Sequence, residues 1–136
     1  MTSSKNTQST KRISYTGILL DDKSVQELKK RMRVPSGWRE LMHHCTLRMG
    51  GLHYGRELIG TKVEMLVQSL GVSEEAMAVR VLLPKRVYDA GDFSTRTPHI
   101  TVAIPEGSKP FYSNRIEQWD PIDPFKLTGI VAEVEG

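Results

Sequence analysis

The sequence predicts an α+β fold that is built mainly from antiparallel sheet and has few helices. Short runs rich in β-branched and aromatic residues recur along the chain, whereas only one segment has the spacing of an amphipathic helix. A parallel sheet needs helical crossovers between successive strands, and these are missing here. We predict one domain at residues 12–136, which is long enough to bury a hydrophobic core, after a disordered polar tail at residues 1–11.

The first third of the chain predicts a strand, a helix and a second strand. The β-favouring residues 12–20 form the first predicted strand. Asp21 or Asp22 is a suitable N-cap for a helix at residues 23–32, and the Lys and Arg residues near its end complement the helix dipole. Residues 43–49 form the second predicted strand, which ends at a double glycine.

The rest of the chain predicts a hairpin, followed by single strands between polar or proline-rich loops. The expected elements are paired strands at residues 61–72 and 76–83, a polar loop at 88–97, a strand at 99–104, a short helical turn at 114–119 capped by Ser113, a loop bracketed by Pro121 and Pro124, and a strand at 126–134. Strands therefore dominate the predicted order.

Composition and charge indicate an ordinary globular protein. The formal net charge of +3 allows an anionic ligand, whereas a long nucleic acid would favour denser clusters of Lys and Arg. No apolar run approaches the roughly 18 residues of a membrane span, and the polar N-terminus lacks the apolar core of a signal peptide. The single cysteine, Cys45, suits a reducing compartment. We therefore expect a cytoplasmic protein.

Two short stretches repeat one pattern of His, any residue, Thr and an aliphatic residue. They are HCTL, beginning at His44, and HITV, beginning at His99. Side chains two residues apart lie on one face of a strand, so His44 shares a face with Thr46, and His99 with Thr101. The intervening residues would then point into an apolar core. Side by side, two such strands would form one polar site from two imidazoles and two hydroxyls.

These groups are a suitable set for cleaving a phosphodiester without a metal ion. With an imidazole pKa of about 6.5, one histidine can be the neutral base while the other is the protonated acid. The hydroxyls can donate to the phosphate oxygens, and a ribose 2′-OH can serve as an internal nucleophile. The alternative is that the histidines only bond to backbone carbonyls and that Thr is present because it favours strands. The duplication of the motif favours catalysis.

With these two motifs the chain resembles the two-histidine (2H) phosphoesterase superfamily. That family is defined by two His-x-Ser/Thr-apolar motifs on strands of a bilobal, pseudo-symmetric α+β fold, and the β-α-β start and the last strand of this chain are similar to it. The resemblance covers roughly residues 12–134. In its size, its opening strand YTGILL and the position of its first motif, the chain is most similar to the small bacteriophage anti-CBASS nucleases.

The resemblance implies cleavage of the cyclic di- and trinucleotides that bacteria make as immune signals upon infection. A 2′-OH would attack the adjacent 3′–5′ phosphodiester and leave a linear product with a 2′,3′-cyclic phosphate. His44 and His99 would be the acid–base pair, in either assignment, and Thr46 and Thr101 would hold the phosphate. The expected partner is this small cyclic nucleotide rather than a membrane or a long nucleic acid. No metal or cofactor is expected, and a homo-oligomer stays open.

Other side chains have two readings each. Tyr15, on the first predicted strand, is either a residue that stacks on a nucleobase or a core tyrosine. Trp119 is either a stacking residue or a partly buried anchor. His43 would point away from His44 in a regular strand, and Arg96 is one of the cations that would meet a phosphate or be solvated.

Two further functions stay open at this point. An RNA-end-processing phosphodiesterase that acts on 2′,3′-cyclic phosphates would use the same chemistry in an open basic groove, whereas a cyclic dinucleotide favours a small closed pocket. A protein that sequesters nucleotides without turnover is the third reading.

Overall fold

The structure is a computed structural model that describes residues 12–90 and 97–136. Within them lie seven strands, two α-helices and two 3₁₀ turns. The strands are β1 (Ile13–Leu20), β2 (Arg39–Glu40), β3 (His44–Met49), β4 (Lys62–Val72), β5 (Met77–Leu82), β6 (His99–Ile104) and β7 (Asp120–Glu135); the helices are α1 (Asp22–Arg31) and α2 (Lys85–Ala90); the 3₁₀ turns are Arg56–Leu58 and Pro110–Arg115. The disordered tail predicted at residues 1–11, and residues 91–96 of the predicted polar loop with Arg96, lie outside the described residues.

The strands form one antiparallel sheet that closes on itself. Their order is β2-β6-β3-β1-β7-β4-β5, and β5 also pairs with β6. The six strands other than β2 therefore form a closed barrel. The short strand β2 pairs with β6 on the same edge of β6 as β3. The chain is α+β and mainly antiparallel with few helices, as predicted. The closed six-strand barrel does not by itself identify the bilobal arrangement that the resemblance implied.

Alternation along the strands fills the inside of the barrel. In β3, Cys45 and Leu47 are buried between more exposed neighbours, and Ile100 and Val102 occupy the same positions in β6. All four belong to one apolar cluster that the strands enclose. The prediction that the residues next to each motif His and Thr face the core is confirmed, and burial of these side chains is the main favourable contribution to folding.

Helix α1 begins and ends one residue earlier than the predicted range of residues 23–32, and it is anchored to the barrel. The backbone N–H of Ser24 donates to Asp21 Oδ1 at 2.8 Å, so Asp21 is the N-cap. The Thr128 hydroxyl donates to the other oxygen of Asp21, which ties the start of α1 to β7. This bond is the main cause that holds the pKa of the Asp21 carboxyl below its usual range. Leu28 is fully buried on the inner face of the helix.

The loop predicted between Pro121 and Pro124 is wrong, because both prolines lie within β7. Proline lacks the N–H that a central strand donates to its neighbours, so it is confined to strand edges. Among the described residues, β1 pairs with β7 only from Gly129 onward. The first part of β7 therefore pairs with β4 alone and tolerates proline on its other edge.

Two short helical segments also differ from the prediction. Residues 85–90, partly assigned to a polar loop, form α2, in which Val87 is buried and the Tyr88 hydroxyl accepts from the Leu83 N–H at 3.2 Å. The helical turn predicted at residues 114–119 lies earlier, at Pro110–Arg115. Proline at the first helical position has the φ that the turn requires, which explains the earlier start.

Closure between β1 and β7 depends on a glycine, and its replacement tests the barrel. A Cβ at Gly129 would lie 2.8 Å from Ile18 Cγ2 and still closer to the Leu19 carbonyl oxygen. We expect Gly129→Ala to lower the free energy of unfolding by about 1–3 kcal/mol, because the strands must move apart. Urea denaturation measures this, with Ile130→Ala, the exposed neighbour, as a control of smaller effect. Equal stability of Gly129→Ala and the unmodified chain would contradict the close approach.

Candidate active site

The two His-x-Thr motifs meet where β3 pairs with β6. The strands are antiparallel and pair at Cys45 and Ile100, the middle residue of the His-x-Thr triplet in each motif. Both middle side chains are fully buried in the core. Because side chains alternate along a strand, the His and Thr that flank each middle residue lie on the opposite, outer face of the barrel.

These side chains line one pocket with a volume of about 750 Å³. That size lies within the range of roughly 300–1,000 Å³ that is common for small-molecule sites. The lining includes all five residues that the sequence assigned to the site: Tyr15, His44, Thr46, His99 and Thr101. The structure therefore brings the two motifs together with the candidate stacking residue.

His44 is held by two aromatic neighbours. The Tyr15 ring stacks on it, with 4.4 Å between ring centroids and 25° between planes, and the Tyr15 hydroxyl lies 3.3 Å from His44 Nδ1. His43 Nδ1 lies 3.0 Å from the same nitrogen. Since both contacts fall on Nδ1, Nε2 is the nitrogen left to exchange a proton with a ligand. Burial raises the pKa of Tyr15, so its hydroxyl keeps its proton near neutral pH.

His99 is oriented by the backbone. Its Nδ1 lies 3.0 Å from the Thr97 carbonyl oxygen, which can only accept, so Nδ1 carries the hydrogen. In the neutral ring, Nε2 then has the free lone pair. A protonated ring would instead donate from Nε2, so His99 can serve as base or acid through the same atom.

Burial disfavours the protonated form of both imidazoles. Desolvation, with smaller contributions from the charges of His43 and His99, lowers the pKa of His44 to about 4. Desolvation also lowers the pKa of His99; the bond to the Thr97 carbonyl opposes this effect, and the charge of Arg80 adds to it. Near pH 7, both rings are therefore mainly neutral in the ligand-free pocket.

The two threonines place hydroxyls beside the histidines. Thr101 Oγ1 lies 2.9 Å from the hydroxyl of Ser113, a buried residue of the 3₁₀ turn at Pro110–Arg115. Thr46 lines the same pocket from β3. A hydroxyl can rotate its hydrogen toward an anionic oxygen, so both threonines are suited to donate to a phosphate.

His43 also lines the pocket, which the regular alternation of a strand did not predict. Glu40 of β2 pairs with Ala103 of β6, and at that register Ile100 would pair with His43. It pairs instead with Cys45, so two extra residues are inserted on this side. Met42 has a positive φ of 41°, which turns the chain here. His43 is exposed, but the prediction that it points away from His44 is wrong, because its ring turns toward His44 and the pocket.

Two further lining residues, Arg80 and Trp119, complete one wall. Arg80 is the cross-strand partner of His99, and its guanidinium carbon lies 4.4 Å from the centre of the Trp119 ring. The sequence held one signal for Arg80: it is a charged residue inside the apolar run AMAVRVLL. Trp119, which had two readings from the sequence, is half-buried and faces His99 at 6.5 Å between ring centroids.

Two other residues with reactive side chains, Cys45 and His53, take no part in this pocket. Cys45 is buried, and burial raises the pKa of its thiol to about 12, so it carries no reactive thiolate. His53 is exposed and is not part of the pocket lining. Across residues 12–90 and 97–136, no three His, Cys, Asp or Glu side chains are grouped to hold a metal ion. In the same ranges, no helix has the length and apolar character needed to cross a bilayer.

Comparison with protein-family models gives no match for this chain, and comparison with curated proteins gives no significant similarity.

The low pKa of His44 predicts that the fold loses stability in mild acid. The unfolded chain has an ordinary imidazole of pKa about 6.5, so between that value and about 4 it binds more protons than the folded chain. The contribution of His44 to stability is therefore complete above pH 6.5 and falls as the pH is lowered. We expect a loss of about 2 kcal/mol between pH 7 and pH 5.

Urea denaturation at both pH values measures the effect. His44→Gln should remove the part of the loss that comes from His44 and leave the part that comes from His99, whose pKa is also lowered. His53→Gln is the matched control, since this histidine is exposed. The same loss in His44→Gln as in the unmodified chain would show that His44 titrates normally. NMR titration of the ring protons gives an independent value for each histidine.

Proposed function

We propose that this protein is a metal-independent phosphodiesterase of the 2H type that cleaves 3′–5′ linkages of small cyclic nucleotides. The observation that carries this proposal is the convergence of both His-x-Thr motifs on one pocket of about 750 Å³. The two histidines and two threonines supply a base, an acid and anion donors, which are the functions that phosphodiester cleavage needs. The bilobal 2H arrangement is part of the same proposal.

In the first step, a neutral imidazole removes the proton from a ribose 2′-OH. The pKa of His44, which burial lowers to about 4, favours this residue as the base, because its ring is neutral at any pH well above that value. The 2′ oxygen attacks the adjacent phosphorus, the bond from phosphorus to the 5′ oxygen breaks, and His99 gives that oxygen a proton. The ring opens to a linear nucleotide that ends in a 2′,3′-cyclic phosphate. Hydrolysis of this product would use the same residues in reversed roles.

The threonine hydroxyls would stabilise the charge that develops on the phosphate oxygens. Ser113 lies 2.9 Å from Thr101 Oγ1 and would hold this oxygen in place, so that only the hydroxyl hydrogen has to turn from the Pro110 carbonyl oxygen to the phosphate. Donors that are already oriented stabilise a transition state more than solvent water does, because they need no reorganisation. Tyr15 would position His44 through its stacked ring. The other edge of the Tyr15 ring is a candidate contact for a nucleobase of the substrate.

The shape and charge of the pocket favour a compact ligand over a long RNA. Among the described lining residues, Arg80 is the only one with a permanent positive charge, whereas RNA binding relies on rows of Lys and Arg. We therefore propose the cyclic di- and trinucleotide immune signals of bacteria as substrates. Their removal in the cytoplasm of an infected cell would let a bacteriophage evade CBASS defence.

Removing either histidine should slow turnover severely. We expect His44→Ala and His99→Ala to slow cleavage of a cyclic dinucleotide by at least 10²- to 10⁴-fold, the usual contribution of a positioned acid or base. Thr46→Ala and Thr101→Ala should lose roughly 10²- to 10³-fold, as for other single transition-state donors. Chromatography of the linear product, with EDTA present throughout, measures the rates. His53→Ala, which removes an exposed histidine outside the pocket, should retain full activity.

The same assay separates the competing functions. Turnover of cyclic dinucleotides that persists in EDTA and requires both histidines supports the nuclease. Binding without turnover would indicate a protein that sequesters nucleotides. Activity on RNA ends alone would indicate an end-processing enzyme. Either of the last two results would overturn the proposal.

The pKa directions predict an acidic optimum for kcat/KM. This parameter reports the free enzyme, in which the base His44 becomes neutral as the pH rises through about 4. The acid His99 loses its proton below the ordinary value, because burial lowers its pKa. The kcat/KM profile should therefore be bell-shaped, with its maximum between about 4 and 6.5. The kcat profile should lie at higher pH, because a bound anion raises both pKa values. A value of kcat/KM that still rises above pH 7 would refute this assignment.

A further inference from the structure

Arg80 carries a positive charge that no anion of the described residues neutralises. It forms no ion pair with any of them, and its Nε is buried without a hydrogen-bond partner. A buried donor of this kind is costly unless something pairs with it. The side chain also lines the pocket, beside His99. An anionic ligand in the pocket is the partner that this arrangement lacks.

Trp119 holds the guanidinium in place without using its N–H groups. The Arg80 guanidinium lies over the indole ring, and the Trp119 Nε1–H donates to the Ile116 carbonyl oxygen at 3.2 Å. Gly71 lies directly against the same ring, since a Cβ there would be 2.9 Å from a ring carbon. The indole is therefore fixed on two sides. A ring face attracts the cation but satisfies none of its donors in the plane. Nε is buried, whereas the Nη atoms of Arg80 are not among the buried unpartnered atoms, so the Nη groups are the donors that remain for a ligand.

We infer that Arg80, supported by Trp119, is the binding site for a second phosphate of the ligand, next to the phosphate that His44 and His99 would cleave. This inference rests on the proposed function and specifies its substrate class. A cyclic dinucleotide has two phosphates in one ring, so one can occupy the reactive site while the other meets Arg80. A nucleoside 2′,3′-cyclic phosphate has one phosphate and would fill only the reactive site.

The strand order separates Arg80 from the reactive site. The His-x-Thr groups lie at the junction of β3 and β6, whereas Arg80 is on β5, the next strand beyond β6. Neighbouring strands are about 4.8 Å apart, so the root of Arg80 is displaced to one side of the reactive centre. The charges agree with this placement: Arg80 contributes to the shift at His99, whereas the charges that act on His44 are those of His43 and His99.

The test compares Arg80→Met with the unmodified protein on two ligands. The ligands are cyclic di-AMP, with two phosphates, and adenosine 2′,3′-cyclic monophosphate, with one. Affinities are measured by calorimetry in the His44→Ala background, so that turnover does not interfere. We expect Arg80→Met to weaken cyclic di-AMP binding roughly 10- to 100-fold, the usual effect of losing a hydrogen bond to a charged group. The affinity for the one-phosphate ligand should change less than about 2-fold, because that ligand makes no hydrogen bond to Arg80. In Arg80→Met, cyclic di-AMP should therefore lose its advantage in affinity over the one-phosphate ligand.

Thermal unfolding of the ligand-free variant separates binding from folding. Methionine has a similar length and packs well against an aromatic ring, and it removes an unpaired charge, so Tm should not fall. A purely structural role for Arg80 would instead lower Tm and affect both ligands. Arg86→Met removes an arginine whose guanidinium bonds to the Lys62 carbonyl outside the pocket, and it should leave both affinities unchanged.

The outcomes distinguish this inference from the proposed function. An unchanged affinity of Arg80→Met for cyclic di-AMP overturns the inference, and so does an equal loss for both ligands, which would place Arg80 on the cleaved phosphate. If the unmodified protein binds cyclic di-AMP through Arg80 but does not cleave it, the proposed function fails and the second-phosphate site stands. If the protein cleaves cyclic di-AMP and Arg80→Met changes neither binding nor cleavage, the proposed function stands and the second-phosphate site fails.

Discussion

The pairing of β3 with β6 is the constraint on which the candidate site depends. These strands are separated by 49 residues between the end of β3 and the start of β6, and they meet because β6 bonds to β5 on one edge and to β2 and β3 on the other. Cys45 and Ile100 are paired at this junction and buried in the core. The hydrophobic core therefore holds both motifs in register, and the polar halves of the motifs meet on the outer face as a consequence.

Desolvation then sets the electrostatics of the pocket. His44 and His99 are drawn into a partly buried wall where protonation is disfavoured, and Arg80 stands beside His99 without a carboxylate among the described residues. Both features make the ligand-free pocket unfavourable for positive charge and favourable for an anion. A phosphate would relieve the unpaired guanidinium and raise the imidazole pKa values in one event. Binding of the phosphate would thus also favour the protonated form of His99 that the proposed reaction needs as its acid.

Local irregularity supplies what the regular strands cannot. The two-residue insertion before β3 turns His43 toward His44 and gives Met42 its positive φ. Strained backbone of this kind persists only where the surrounding packing holds it, and it is common at functional sites. The insertion places a second imidazole against Nδ1 of His44. Nε2 of His44 is then the nitrogen that can exchange a proton with a ligand.

The sequence by itself determined the α+β class, the hairpin of β4 and β5, a helix capped by Asp21 or Asp22, and the inward residues of each motif, because these follow from local propensity and from alternation along a strand. Only the tertiary structure decided that the sheet closes into a barrel, that Pro121 and Pro124 sit in a strand, and that His43, Arg80 and Trp119 join the site. Each of these depends on which strands become neighbours and on where an edge is left unpaired. Such pairings are made between residues far apart in the chain, and no local pattern records them.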